Sequence, residues 1–212
     1  PHPGGHVAIY PMYNPSRRRE RRHDIIEMLK SEYRVQDVID YPCLEYDDLF
    51  LEGTGAMVLD HVARVAYTAR SNRANPIPLE RFCTHFNFEP MAFDTSDEHG
   101  NAIYHTNVMM CIATDFAMVG FDIISDPNRR NEIQARISEM GRKVIDLTNH
   151  QIREFAGNAI ELSTSNDRIL AISARAAASL NQQQKEIIEE SVRIVELSVP
   201  TIELAGGSIR CM

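Results

Sequence analysis

Residues 55–69 read GAMVLDHVARVAYTA. Two short apolar runs, GAMVLD from Gly55 and RVAYTA from Arg64, meet at the turn-prone DHVAR, which is the pattern of a β-hairpin. Downstream, PLERFCTHF (78–86) carries apolar residues at helical spacing among charges, and PMAFD (90–94) is a further strand-like run. The unit is strand–strand–helix–strand.

That unit recurs. The second strands begin at Arg64, Phe116 (FAMVGF) and Arg168 (RILAIS), 52 residues apart each time. The first strands begin at Gly55, Asn107 (NVMMCI) and Asn158 (NAIELS), and a fourth run, SIRCM, begins at Ser208; those intervals are 52, 51 and 50. The helices RRNEIQARISEMGR and NQQQKEIIEESVRI and the strands KVIDL and IVELSV complete the second and third units, with STSND as the turn of the third hairpin. Gly141 stands just past the apolar pattern of the second helix, where helices commonly stop. The N-terminal piece fits the plan without a first strand: HVAIYP, the helix SRRRERRHDIIEMLKSE, then RVQDVID.

A period near fifty residues is that of a propeller or array, in which each unit buries its face against its neighbours. The expected fold class is α/β: an incomplete five-bladed propeller, with three complete blades over about residues 53–200 flanked by partial ones. On this reading both ends of the chain are cuts in a longer ring. No linker or low-complexity segment divides residues 1–212, which are read as a single catalytic domain.

The bulk properties narrow the partners. Hydrophobic residues make up 43% and charged residues 25%, as in ordinary globular proteins. The formal net charge of −8 argues against a nucleic-acid or anionic-membrane surface. No apolar run approaches the roughly 18 residues of a membrane span. The four cysteines, Cys43, Cys83, Cys111 and Cys211, show neither close pairs nor metal-ligand spacing, so reduced thiols in a cytoplasmic protein without metal or cofactor are expected.

Chemistry-bearing residues fall at the junctions between units. LEGTGAM holds Glu52, YHTNVMM holds His105 and Asn107, FAGNAIEL holds Asn158, and LAGGSIRCM holds Cys211. In a ring of similar blades, equivalent junctions meet at one end of the axis. A thiolate there can attack a resonance-stabilised carbon, an imidazole can protonate the departing nitrogen and then deprotonate water, and a carboxylate can grip a planar N–C–N group. Singly, each has a plainer reading: a buried inert thiol, a structural histidine, a solvated carboxylate. Cys43, Cys83 and Cys111 read as packing residues, Asp60 as a turn former, and Met109 and Met110 as core.

FLEGTGAMVLD, YHTNVMMC and GGSIRCM, together with YPMYNPSRRRER, resemble the signature segments of the guanidino-group-modifying hydrolases and amidinotransferases, the pentein superfamily. The resemblance covers essentially the whole chain and is nearest to the amidinotransferase-like branch with citrulline-utilisation hydrolases; arginine deiminases and dimethylarginine hydrolases are related. It implies Cys211 as nucleophile, His105 as general acid/base and Glu52 as the guanidinium-gripping carboxylate. It implies Arg17, and Arg73 in ARSNRAN, as contacts for a substrate carboxylate, with Asn107 beside the reacting group. The implied partner is a small amino-acid substrate, with a homo-oligomer left open.

Three departures stand out. Asn107 replaces the Asp of arginine deiminases, which hints at a neutral ureido substrate such as citrulline. Ala205 stands where relatives carry Gly, a strained choice if φ is positive there. The segment before Pro1 that supplies a further contact in relatives is absent. The resulting expectation is C–N hydrolysis in a guanidino or ureido amino acid through a covalent thiouronium-type intermediate on cysteine. Amidino transfer, dimethylarginine hydrolysis and a non-enzymatic pentein-fold binding factor are the alternatives.

Overall fold

The computed structural model describes residues 4–165 and 167–212; Asn166, within the expected STSND turn, lies outside them. The N-terminal unit pairs β1 (His6–Ile9) in parallel with β2 (Asp37–Asp40), joined through a 3-10 turn (Pro15–Glu20) and α1 (His23–Glu32). The single helix expected over residues 16–32 is therefore broken. Arg22 adopts an extended conformation at the break, and the adjacent Arg21 turns its guanidinium onto Glu45.

Next come a short helical turn, α2 (Gly53–Ala56), then β3 (Val58–Asp60), β4 (Val65–Ala69), α3 (Pro76–Phe86) and β5 (Glu89–Phe93). The second blade contains β6 (Met110–Ile112), β7 (Phe116–Val119), α4 (Pro127–Ser138) and β8 (Lys143–Asp146). After α5 (Asn149–Arg153), the third contains β9 (Ile160–Ser163), β10 (Arg168–Ser173), α6 (Ala174–Ser179), α7 (Gln182–Glu189) and β11 (Arg193–Leu197), with α8 (Pro200–Leu204) beyond it. In all three the first two strands are antiparallel and the third, reached through helix, runs parallel to the second. The sheets are separate, and β6 lies against both β3 and β9. The fold is thus an α/β propeller of the pentein type, with first strands innermost.

Local chemistry accounts for the elements. Asp60 accepts the Val62 and Ala63 N–H groups, which turns the first hairpin with Arg64 left-handed at φ 59°. Asn75 and Asp126 cap α3 and α4 ahead of a proline in the first turn. Asn181 and Gln184 form a capping box for α7. Gly141, at φ 77°, closes the segment after α4. α6, not anticipated, is alanine-rich and capped by Ser173, whose hydroxyl accepts from the Ala176 N–H.

Every residue of β4 and β7 is buried, as expected of strands covered on both faces. Met109, Met110 and Cys111 lie in this core, and Cys83 packs in a second cluster with Phe82 and Phe86. Cys43, expected to pack, is exposed instead. No helix of the described residues is long and apolar enough to cross a membrane.

Two strand expectations are corrected. The inner strands start two or three residues later than Gly55, Asn107 and Asn158, because the preceding residues fold into turns held by contacts between units. SIRCM is no strand: Ile209–Cys211 forms a 3-10 turn, in the place that the 3-10 turn Thr106–Val108 takes ahead of β6. It has no ladder partner among the described residues, and its Cys211 N–H bonds locally to the Ser208 carbonyl.

Candidate active site

The junctions converge on one open cavity of about 960 Å³, lined among others by Arg17, Glu20, Glu52, Arg73, Tyr104, His105, Asn107, Arg210 and Cys211. All six residues expected at the site therefore face the same space. What seats them is backbone fit. Thr106 Oγ1 donates to the Ala56 carbonyl and accepts from the Ala69 N–H at 2.8 Å, tying His105's turn to the preceding blade. A Cβ on Gly157 would lie 2.6 Å from the Val108 carbonyl, so only glycine lets the third junction approach the second so closely. Ala205 sits at φ −83°, so the expected strain is absent; the neighbouring Gly206 takes the positive φ of 87°.

Glu52 is the hub. One of its oxygens accepts the Tyr13 N–H at 3.1 Å; the other accepts from Arg17 at 2.6 Å and from His105 Nε2 at 2.9 Å, with Arg73 at 3.6 Å. Burial by itself would raise this carboxyl, but the His105 hydrogen bond, Arg17 and the Tyr13 N–H outweigh it and hold the group below its ordinary value. The carboxylate fixes the histidine tautomer, since Nε2 must carry a proton to donate to it. A Cβ on Gly55 would meet His105 Nδ1 at 3.1 Å, so any side chain there would press on the imidazole.

Arg17, expected to contact a substrate carboxylate, is engaged by carboxylates of the chain itself. Its guanidinium bonds Glu20 through Nε (3.0 Å) and one terminal nitrogen (3.1 Å) and Glu52 through the other. Arg73 is freer: its guanidinium lies 5.2 Å over the Tyr104 ring and makes no hydrogen bond among the described residues.

Cys211 receives two amides. Asn158 Nδ2 lies 3.2 Å and Asn107 Nδ2 3.5 Å from the sulfur. Asn107 is 2% exposed, and its Oδ1 is buried without a hydrogen-bond partner among the described residues. No hydrogen bond joins His105 to Cys211 among the described residues, although both line the same open cavity. Among the described residues no His, Cys, Asp or Glu cluster is arranged to hold a metal.

Tyr104 was not read from the sequence, and Asn158 was read as the polar residue of the third junction but given no role there. The Tyr104 hydroxyl donates to the Gly206 carbonyl at 2.9 Å, pinning the Cys211 junction to the His105 junction. A signal for Asn158 exists: Glu52, His105, Asn158 and Cys211 follow one another at a constant interval of 53 residues.

A family model described as N,N dimethylarginine dimethylhydrolase, eukaryotic, matches residues 1–212. No curated protein sequence matches the chain. Among solved structures, ArgZ, an arginine dihydrolase from the ornithine–ammonia cycle in cyanobacteria, is 20% identical with a TM-score of 0.74 over 98% of this chain. The chain spans 30% of the length of ArgZ and 69% of its N-terminal domain, which has been solved covalently bound to a reaction intermediate. Unliganded AgrE is 18% identical over 98% of this chain and 28% of its own, with a TM-score of 0.76. A dimethylarginine dimethylaminohydrolase in adduct with 4-chloro-2-hydroxymethylpyridine is 12% identical over 100% of this chain and 73% of its own, with a TM-score of 0.65.

Proposed function

Because the chain belongs to the family of eukaryotic N,N-dimethylarginine dimethylhydrolases, we propose that it hydrolyses a C–N bond of a guanidino amino acid with Cys211 as nucleophile. The observation that carries this reading is Glu52. It is an ionised, buried carboxylate at the wall of the Cys211 cavity, and it already grips a guanidinium, that of Arg17. A substrate guanidinium meets the same acceptor.

The sulfur lone pair attacks the central guanidino carbon, giving a tetrahedral adduct. The C–N bond to the leaving amine breaks as His105 delivers a proton to that nitrogen, which leaves a thiouronium on Cys211. His105 then takes a proton from water, the hydroxide adds to the same carbon, and the C–S bond breaks with its electron pair returning to sulfur. The products are an amine and a ureido compound. Glu52 holds the reacting plane and carries the imidazolium charge; Arg73, over Tyr104, takes the substrate's carboxylate. Thiol, imidazole and water suffice, so the scheme needs no cofactor.

A second reading has its own support. Asn107, an amide beside the sulfur where a carboxylate would favour a cation, suits a neutral ureido group such as that of citrulline. Incubation with dimethylarginine, arginine and citrulline separately, with released amine or ammonia quantified, tests both readings. Turnover of either guanidino compound, abolished in Cys211→Ser, supports the first; turnover of citrulline alone supports the second. No turnover of any of the three, or turnover that survives Cys211→Ser, overturns the cysteine mechanism.

A further inference from the structure

Tyr104 stands directly before His105 and lines the same cavity. Its backbone is fixed from both sides. Ile103 donates its N–H to Thr95 Oγ1 at 3.0 Å and packs against the main core, and Thr106 is tied to the first blade. Ser71 Oγ donates to the Tyr104 carbonyl at 2.9 Å. The same Oγ accepts the Arg73 N–H at 3.1 Å, so one hydroxyl couples the backbone of Tyr104 to that of Arg73. At the far end of the side chain, the phenol donates to the Gly206 carbonyl at 2.9 Å, across 102 residues of sequence. Burial, with Cys211 nearby, raises the phenol, which keeps the proton that it donates. The ring is thus held at its root and at its tip.

Between those anchors the ring carries a cation. The Arg73 guanidinium lies 5.2 Å from its centroid, within reach of the negative face of the π-system. The carboxylate paired with Arg73, that of Glu52, stands 3.6 Å away, longer than a hydrogen bond, and already accepts from Arg17 and His105. An arginine side chain has many rotamers, and fixing it only when a ligand arrives costs affinity. The ring removes part of that cost in advance. Packing alone does not account for the arrangement, since phenylalanine would fill the same space; the hydroxyl adds a fixed direction by bonding the backbone of another junction.

We propose that Tyr104 is a specificity-determining residue: its anchored ring holds the Arg73 guanidinium ready for a substrate carboxylate, and so selects guanidino amino acids over guanidino amines that lack the carboxylate. Tyr104 acts through Arg73 and is a positioning residue for the reaction. The inference rests on the reading of Arg73 as the carboxylate contact and deepens it. Glu52 meets the guanidino end of both kinds of ligand, so the ring bears on the other end alone.

The test is the ratio of affinities for arginine and for agmatine, its decarboxylated counterpart, measured by calorimetry in the Cys211→Ser background, where neither ligand is consumed. With Tyr104 in place the ratio favours arginine. Tyr104→Leu lowers it about three- to fivefold, through arginine alone. Tyr104→Phe, which keeps the ring and loses the Gly206 anchor, lowers it less. Ser71→Ala cuts the link between the two backbones, lowers the ratio in the same direction, and serves where Tyr104→Leu does not fold. A merely structural residue would weaken both ligands alike, so a parallel fall overturns the proposal. An unchanged ratio, no initial preference for arginine, or no binding of arginine overturns it as well. Guanidino turnover abolished by Cys211→Ser, together with a ratio indifferent to Tyr104→Leu, sinks this inference alone. A ratio that falls in Tyr104→Leu while the wild-type protein turns over no guanidino compound upholds it and sinks the hydrolase reading alone.

Discussion

Glu52 concentrates more of the site's energetics than any other residue. Its side chain is 0% exposed, yet a backbone N–H, an imidazole and a guanidinium satisfy both oxygens. The folded carboxyl sits below the ordinary value of about 4.3 in an unfolded chain. The linkage sign follows: the unfolded state binds the proton first, so Glu52 stabilises the fold above that unfolded value, and the contribution fades as pH falls through the folded one. Glu52→Gln is therefore expected to cost about 1–3 kcal/mol at pH 7, the usual penalty for stranding buried partners. Melting temperatures of the two proteins should converge as pH drops below about 4. A gap that stays constant down to pH 3 would show that packing, not ionisation, carries the effect. The same residue marks how far the sequence could be read. Glu52, His105 and Cys211 were legible because junctions of repeated units must meet. The engagement of Arg17 by Glu20 and Glu52 was not, since it depends on how the break before Arg22 aims the first turn. Asn158 was legible as the polar residue of the third junction, but its reach to the sulfur was not, because a neutral amide announces its role only through its partners.

At the scale of elements, hairpins and crossover helices were legible because their causes are local: Asp60 in the turn, Asn75 and Asp126 as caps, apolar strands on both sides. The starts of the inner strands were not, because the preceding turns are fixed across units by contacts such as Thr106 to Ala56 and Ala69. Two substitutions separate these regimes. Asn75→Ala removes the side-chain cap of α3 and should cost about 1 kcal/mol in urea unfolding, with turnover of the folded protein changed less than about twofold. Gly157→Ala drives a methyl into the Val108 carbonyl and the Met109 backbone. Its stability cost should be about 1–3 kcal/mol. Because Asn158 follows directly and reaches Cys211, turnover should also fall by at least tenfold in the folded protein. If Gly157→Ala loses stability and keeps full turnover, the third junction does not position the sulfur.

Across the whole molecule the site and the mechanical fastening lie at opposite ends of the inner strands. β3 leaves the Glu52 junction and ends at Asp60, where Arg142 of the second blade pairs with both carboxylate oxygens. The side chains of Asp60 and Arg142 are 0% and 2% exposed, and Arg142 Nε also donates to the Ala113 carbonyl at 2.9 Å. The pair thus joins the first hairpin turn to the β6–β7 turn and to the start of β8. A buried ion pair is no guarantee of stability, since its desolvation offsets much of its attraction, but removing one partner leaves a bare charge. Arg142→Met should therefore cost about 3–5 kcal/mol, lowering the melting temperature by about 10 °C for a chain of this size. Asp60→Leu combined with Arg142→Met removes both charges and should recover part of that loss; recovery stays partial because the Val62 and Ala63 N–H groups lose their acceptor. At 20 °C the folded fraction of either variant should turn over substrate within about twofold of wild type. The propeller separates the two functions by placing hairpin turns at one end and junctions at the other, so a tenfold loss of turnover in folded Arg142→Met would mean that the fastening reaches the chemistry after all.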